Sequence, residues 1–460
     1  MRRTGHATAA LSRLAPLGAA AALGCAALAT PAGAATSDAP TGYPLRIDPF
    51  IQLGELTATH GLRGEEFGES VAISGNTIVV GTPNYLAAAT NTEEGAVYVF
   101  TKPASGWANA TQVARLTAGR GQSEELFGGS VSVSNNTIVV GAPFREVGGH
   151  AGQGAAYVFV RPASGWRNAT PTAKLTAASG AAKDFFGESV AISGGTIVVG
   201  VPGRKVGESA LRGAVDVFTR PAAGWFGSLT QKAQLTASDG RAGDALGTSV
   251  AVSGSAIVAG ANRHTVGNDA DQGAGYVFVK PASGWANATQ AAELTAGNGA
   301  ANEFFGEAVG ISGDTIVAAA PEHEVGKNAG QGAVYVFAMP ASGWAGSPSQ
   351  TAELTAADGA ENEALGRSLA VSGDVIAAGA RFREVGKSTD QGAVYVFVKP
   401  SLGWANATQT AELTASNGTT GDSLGRSVAV ARDTLVVGAP DHAVGKNLAQ
   451  GAVYTFGAPH

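Results

Sequence analysis

Seven carboxylates and six bases recur at fixed places along this chain. An acid stands three residues before each copy of a repeated glycine, as Glu65, Glu125, Asp184, Asp244, Glu303, Glu363 and Asp422. A base stands two residues before a recurring Val-Gly pair, as Arg145, Arg204, His264, His323, Arg383 and His442. Carboxylates set against Arg and His can form ion pairs that fix loops. They can also form a ring of alternating charge that grips an ionic glycan or a charged protein surface. A catalytic group is normally singular, so groups present in nearly every repeat read first as loop caps and register pairs, each exposed pair contributing about 0–1 kcal/mol. Two carboxylates from neighbouring repeats could flank a glycosidic bond, which makes a polysaccharide-active hydrolase or lyase the alternative. The spacing singles out no such pair, and the expectation is a protein with no catalytic residue, no cofactor and no metal.

One copy departs from the rule. The stretch from Asn84 to Glu94 is one residue longer than its counterparts and lacks the base. Specificity in a set of copies must come from asymmetry, so Asn84, Tyr85, Glu93 and Glu94 join the recurring acids and bases as candidate ligand contacts. Asn268-Asp269-Ala270-Asp271 has the look of a metal-ligand run but reads as a solvated turn. No Gly-x-Ser-x-Gly elbow, His-Glu-x-x-His helix or phosphate-cradling loop occurs.

The elements that must position these residues follow from a period. The glycine behind the acids falls at Gly68, Gly128, Gly187, Gly247, Gly306, Gly366 and Gly425, in steps of 60 and 59 residues. So regular a pitch means a repeat architecture. Each repeat reads as four strands. The first, as in Ser70 to Ser74, alternates small polar and apolar residues and turns within two residues such as Gly75-Asn76 or Asn135-Asn136. The second and third, as in Thr77 to Val80 and Ala96 to Phe100, are apolar on both faces, so the sheets are covered on both sides. The fourth carries a polar residue just before its Leu, a device that blunts a sheet edge. Seven four-stranded antiparallel sheets covered on both faces stack radially as an all-β, seven-bladed propeller. After Tyr454-Thr455-Phe456 the last copy lacks its fourth strand, and the orphan Glu55-Leu56-Thr57 segment is expected to complete it and lock the ring. The loops before the first strand and between the second and third strands then share one face of the disc.

Phe-Gly ahead of the first strand, Gly141-Ala142-Pro143 and Gly438-Ala439-Pro440 after the second, and Gly-Ala-Val-Tyr-Val-Phe in the third resemble the FG-GAP repeats of the integrin α-chain propeller and its secreted bacterial relatives. The resemblance implies ligand binding through the loop face just described. Family members often carry a calcium loop between the first two strands, where this chain has a two-residue turn; the isolated Asp314, Asp374 and Asp433 offer too few oxygens for a six- to eight-coordinate ion.

The remaining aromatic and polar signatures read as architecture. Trp107, Trp166, Trp225, Trp285, Trp344 and Trp404 each follow a Gly between the third and fourth strands and are expected to staple that turn. The Asn-Ala-Thr triplets at Asn109, Asn168, Asn287 and Asn406 match the N-glycosylation pattern but read as turn residues. Asp216 replaces the third-strand Tyr and needs a partner in so covered a place.

Arg2, Arg3 and Arg13 flank an apolar run from Leu14 to Leu28, and Ala32-Gly33-Ala34 offers small residues for cleavage. This predicts a secretory signal over residues 1–34, a short leader over 35–49 and the propeller over 50–460. Cleavage after Ala34 removes Cys25, the only cysteine; lipoprotein attachment through it is the alternative. It also removes three arginines and no acid, so the formal charge goes from −6 to −9. That sign argues against nucleic acid or an anionic membrane as partner. The expected protein is an exported or cell-surface monomer without a transmembrane span, recognising an extracellular protein or glycan.

Overall fold

The structure, a computed structural model, describes residues 50–87, 92–119 and 125–457. The signal segment, the leader, Cys25 and the loop tip at 88–91 lie outside these residues.

Seven antiparallel sheets follow one another along the chain. Blade 1 is built from Ser70–Ser74, Thr77–Thr82, Ala96–Thr101 and Ala114–Leu116. Blade 4 is built from Ser249–Ser253, Ala256–Ala261, Ala274–Val279 and Ala292–Leu294. The second and third strands are buried along almost their whole length, as their two-sided apolar sequences require. The hairpin turns use positive φ at Gly75, Asn135 and Gly194, which glycine and asparagine accept at little cost. Among the described residues there is no helix long and apolar enough to cross a membrane.

The ring is closed. First strands pack against one another in sequence order around the disc, and that of blade 7, Ser427–Ala431, returns to that of blade 1. Ile51–Thr57 pairs antiparallel with Ala452–Gly457, with Leu56 opposite Val453, and supplies the fourth strand of blade 7. At six of the seven joints a serine from one blade donates its hydroxyl to the Phe/Leu-Gly carbonyl of the next, at 2.7–2.8 Å. Ser427 to Gly68 is one of the six, so the joint between the two chain ends is built like the others. Backbones approach so closely here that a Cβ on Gly81 would lie 2.0 Å from the Gly128 oxygen, which favours glycine in six blades; blade 5 carries Ala319 instead, at the joint where Ala308 replaces the serine.

The outer edge is protected differently from the sequence expectation. The segment after each tryptophan runs parallel to the fourth strand of the preceding blade: Ala110–Thr111 on Ile51–Thr57, Gly227–Thr230 on Ala173–Thr176, and Ala407–Thr408 on Ala352–Thr355. Asn109, Asn168, Asn287 and Asn406 accept the backbone N–H of Glu55, Arg115, Gln234 and Glu353 through their side-chain oxygens, at 2.8–2.9 Å. The Asn-Ala-Thr triplets therefore stitch blades 1, 2, 4 and 6 to their predecessors. The edge is covered by chain, not only blunted by charge. Trp107, Trp225, Trp285, Trp344 and Trp404 are buried beneath these crossings.

Candidate functional site

The two loop sets meet, as antiparallel connectivity requires, and they meet within each repeat. Arg145 binds Glu125 at 2.5 Å, Arg204 binds Asp184 at 2.9 Å and Arg383 binds Glu363 at 2.7 Å. Nδ1 of His264, His323 and His442 donates to Asp244, Glu303 and Asp422, each at 2.8 Å. All seven acids, Glu65 included, are buried. The pairs therefore tie the loop between second and third strands to the loop that leads into the first. In these six blades the same loop is also pinched by a backbone bridge, such as Val147 to His150 or Val266 to Asp269. The Asn268 to Asp271 run is the solvent-facing turn of one of them.

Around the pairs of blades 4 to 7 stand three further groups: the third-strand Tyr, the polar residue of the fourth strand, and a residue arriving from the end of the preceding blade. In blades 4 to 7 the fourth-strand residue is an acid, Glu293, Glu353, Glu412 or Glu55. Blade 5 shows how the group closes. Asn298 donates its amide to Glu353 at 3.1 Å, sets the same nitrogen 3.3 Å from Nε2 of His323, and accepts from the Tyr335 hydroxyl at 3.1 Å. Blade 7 repeats this with Asn417, Glu55 and His442, at 3.2 and 3.5 Å. In blade 6 the guanidinium of Arg383 fills the centre and reaches Glu363, Asp358 and Glu412. Burial alone would lower the pKa values of His323 and His442, but the hydrogen bonds and charges of Glu303 and Asp422 outweigh it and raise both. In blade 4 Asp239 stands where Asn298 and Asn417 stand, and His264 Nε2 faces Asp239 and Glu293 at 3.6 and 3.8 Å.

Blades 1 and 2 reverse the sign. Their fourth-strand residues are Arg115 and Lys174. Arg115 donates to the Tyr85 hydroxyl at 2.5 Å, and its guanidinium lies over the Tyr85 ring at 5.0 Å from the centroid. The longer first loop forms a two-stranded ribbon, Leu86–Ala87 with Thr92–Glu93, in place of the pinch seen elsewhere. Asn84, Tyr85 and Glu94 are half-buried at its base, and the Glu94 N–H donates to the Tyr85 carbonyl. Burial, and then the nearby Arg145, lowers the pKa of Lys174. Arg145 and Lys174 line an open cavity of about 440 Å³ together with Tyr157, Thr170 and Thr172. Phe226, adjacent to the lining residue Gly227, is 76% exposed.

Blade 3 is the transition. Its fourth-strand residue is the neutral Gln234, and Asp216 replaces the Tyr. Asp216 is fully buried, 3.8 Å from Arg204 and 3.4 Å from the Gln234 amide. Burial pushes its pKa up to about 6 against the pull of Arg204.

The sequence reading found the acids, the bases and the aberrant loop. It read Arg115, Lys174 and Glu293 only as polar residues that blunt the edge of the fourth strand, and it passed over Asp239 in the loop that follows that strand.

Comparison with known proteins gives one family. A family described as FG-GAP repeat matches residues 50–100, 110–159, 170–218, 229–278, 288–337, 348–397 and 407–456. Each matched unit joins the fourth strand of one blade to the inner three of the next, so residues 50–456 hold seven units with no orphan. No curated protein matches. Among solved structures, that of the computationally designed Ika8 protein is similar at 12% identity over 88% of this chain and 99% of its own, with a TM-score of 0.45.

Proposed function

The chain belongs to the FG-GAP repeat family, and from that premise we propose that it is an exported, monomeric, non-catalytic binding propeller that holds an extracellular protein or glycan of anionic character through the loops of one face. The observation that carries the reading is the basic sector of blades 1 and 2. There Arg145 and Lys174 share an open cavity, and the Tyr85 ribbon breaks the ring's regularity. Adjacent cations beside exposed aromatic surface suit a carboxylated or sulfated partner, since the charge recognises anions and the ring stacks on apolar faces. Glu65, Glu125, Asp184, Asp244, Glu303, Glu363 and Asp422, with Arg145, Arg204, His264, His323, Arg383 and His442, act in this proposal as the frame of the face. Asn84, Tyr85, Glu93 and Glu94 form its specific rim. Export rests on the charged, apolar and small-residue order of residues 1–34, and sequencing the mature amino terminus should begin at Ala35.

The test is retention of the full chain on immobilised sulfated, uronic and neutral glycans and on acidic and basic proteins, with released reducing ends measured in parallel. Binding to an anionic member that falls at least tenfold in the Arg115→Glu, Lys174→Glu double variant is expected. New reducing ends would favour the hydrolase or lyase. Retention that ignores the double variant would move the site off this sector.

A further inference from the structure

In blades 5 to 7 the inner base and the residue arriving from the preceding blade match in hydrogen-bonding capacity, and in blade 4 they do not. His323 and His442 meet an asparagine, Asn298 or Asn417, whose amide donates to the fourth-strand carboxylate and, when the imidazole is neutral, to Nε2 as well. Arg383 meets an aspartate, Asp358, and supplies the hydrogens itself. His264 meets an aspartate as well. Asp239 has no hydrogen to give, and Nε2 of His264 lies 3.6 Å from it and 3.8 Å from Glu293, beyond hydrogen-bond length.

Other contacts fix the geometry of this cluster. Asp244 accepts from the Arg241 backbone N–H at 2.7 Å and from His264 Nδ1 at 2.8 Å, so the imidazole is held with its Nδ1 hydrogen on a carboxylate and Nε2 turned toward the two other acids. The segment bearing Asp239 is pinned by Gln290, which accepts from the Ser238 N–H at 2.9 Å and donates to the Ser238 hydroxyl at 3.0 Å. Tyr276 packs edge-on against His264, and its buried hydroxyl lies near enough to Asp239 to feel its charge yet outside hydrogen-bond geometry. Glu293 has a raised pKa from burial and from the like charge of Asp239, with His264 opposing. Among the described residues, Asp239, His264 and Glu293 are the single group of three whose ligand atoms all lie within 4.8 Å of one another.

We propose that Asp239, His264 and Glu293 bind one divalent transition-metal ion, of the zinc or manganese class, at the junction of blades 3 and 4. Ligand atoms about 2.0–2.2 Å from a tetrahedral zinc stand roughly 3.4 Å apart, close to the separations found here. Asp244 on Nδ1 is the outer carboxylate that orients a metal-binding histidine. One imidazole and two carboxylates are too few oxygens for calcium, whereas mixed nitrogen and oxygen donors suit zinc and manganese. Three protein ligands leave a coordination position for water, on the side from which Tyr276 can donate to the shell. This site is independent of the basic sector and of the anionic ligand proposed for it.

The experiment is calorimetric titration of the untagged full chain with Zn²⁺ and, separately, Mn²⁺, with melting recorded in each metal. One saturable equivalent and a metal-dependent rise in melting temperature are expected for the native chain. Asp239→Asn installs the residue that blades 5 and 7 already carry; it should leave metal-free melting unchanged while weakening the metal at least 100-fold. Asp244→Asn should weaken it about 10- to 100-fold. Asn298→Asp should create a second equivalent in blade 5. Absence of saturable binding in the native chain, or native affinity in Asp239→Asn, would overturn the site.

Discussion

Blades 4 to 7 and blades 1 and 2 share a four-stranded scaffold and differ in the sign of the fourth-strand residue, and blade 1 also exchanges the pinched loop and its base for the Tyr85 ribbon. In blades 5 to 7 the fourth-strand glutamate joins a network around the base, whereas in blade 4 Asp239 and Glu293 both face His264 beyond hydrogen-bond length. In the basic blades that position is Arg115 or Lys174, and blade 2 holds Lys174 near Arg145. Packing is the same in both sectors: buried second and third strands, a Phe or Leu under each joint, and glycines where backbones touch. The fold tolerates either sign, and the departure in blades 1 and 2 is the asymmetry on which the proposed binding face rests.

The comparison assumes a common scaffold, and the strongest way to break it is to open the ring. Blade 7 belongs to the acidic sector and takes Glu55 from the other end of the chain. Deleting Ile51 to Ala58 removes the fully buried Leu56, exposes the edge of Ala452–Gly457 and leaves Asn417 without Glu55. We expect a drop in melting temperature of more than about 10 °C, or loss of a single cooperative transition, in line with losing several kcal/mol of burial. Calorimetry of the deletion checks it; unchanged melting would mean that blade 7 does not need the strand.

A charge reversal within the acidic sector comes next. Glu353→Lys places a cation beside His323 and deprives the Asn298 amide of its acceptor, at a cost of about 1–3 kcal/mol. The histidine also sets a pH signature. Its folded pKa is raised, so its contribution is fully present below the unfolded value and fades as pH rises through the folded one. Urea midpoints between pH 5.5 and 8.5 should fall with rising pH in the native chain and fall less steeply in Glu353→Lys, where the pull of Glu353 is gone.

Blade 3, between the sectors, carries a smaller cost. Asp216 titrates near 6 in the fold because burial disfavours its charge. Stability tied to this group is therefore complete below the unfolded carboxylate range and is lost as pH rises through about 6. Asp216→Asn keeps the shape and leaves Arg204 its bond to Asp184. It should be more stable than the native chain by about 1–2 kcal/mol at pH 7, with the gain gone near pH 4. A gain that persists at acid pH would assign the effect to packing.

What the sequence made legible was whatever repeats. Glycines at joints, alternating serines in first strands and the orphan Glu55-Leu56-Thr57 segment stand out because seven copies print the same constraint. The acid and base motifs were legible for the same reason, and their pairing within a repeat follows from hairpin topology. The covering strands were not, because Ala110–Thr111 and its equivalents are only two to four residues long, and the Asn-Ala-Thr triplets that contain three of them read as turns. Asp239 and Glu293 were hidden by distance, 54 positions apart and on different blades. A signal did exist: written in register, the two other histidines meet an asparagine, Asn298 with His323 and Asn417 with His442, whereas His264 meets Asp239.

The smallest expected effect sharpens the comparison most. Lys174→Glu gives blade 2 the acid that blade 6 has, where Glu412 receives Nε of Arg383 at 3.1 Å. A carboxylate at this half-buried site should attract Arg145 while Arg145 keeps Glu125, and it removes an amine whose charge burial and Arg145 both disfavour. A gain of about 0.5–1 kcal/mol is expected, shrinking in high salt as a partly exposed pair should. The same variant strips a cation from the cavity lined by Arg145, Tyr157 and Thr172, so affinity for an anionic glycan or acidic protein should fall. Stability rising while binding falls is the pattern of a group kept for its task at the expense of the fold. Denaturant midpoints at low and high salt, measured beside retention on the anionic panel, read both quantities from one preparation. If Lys174→Glu lowers stability, the lysine belongs to the architecture after all, and the difference between the two sectors loses its functional meaning.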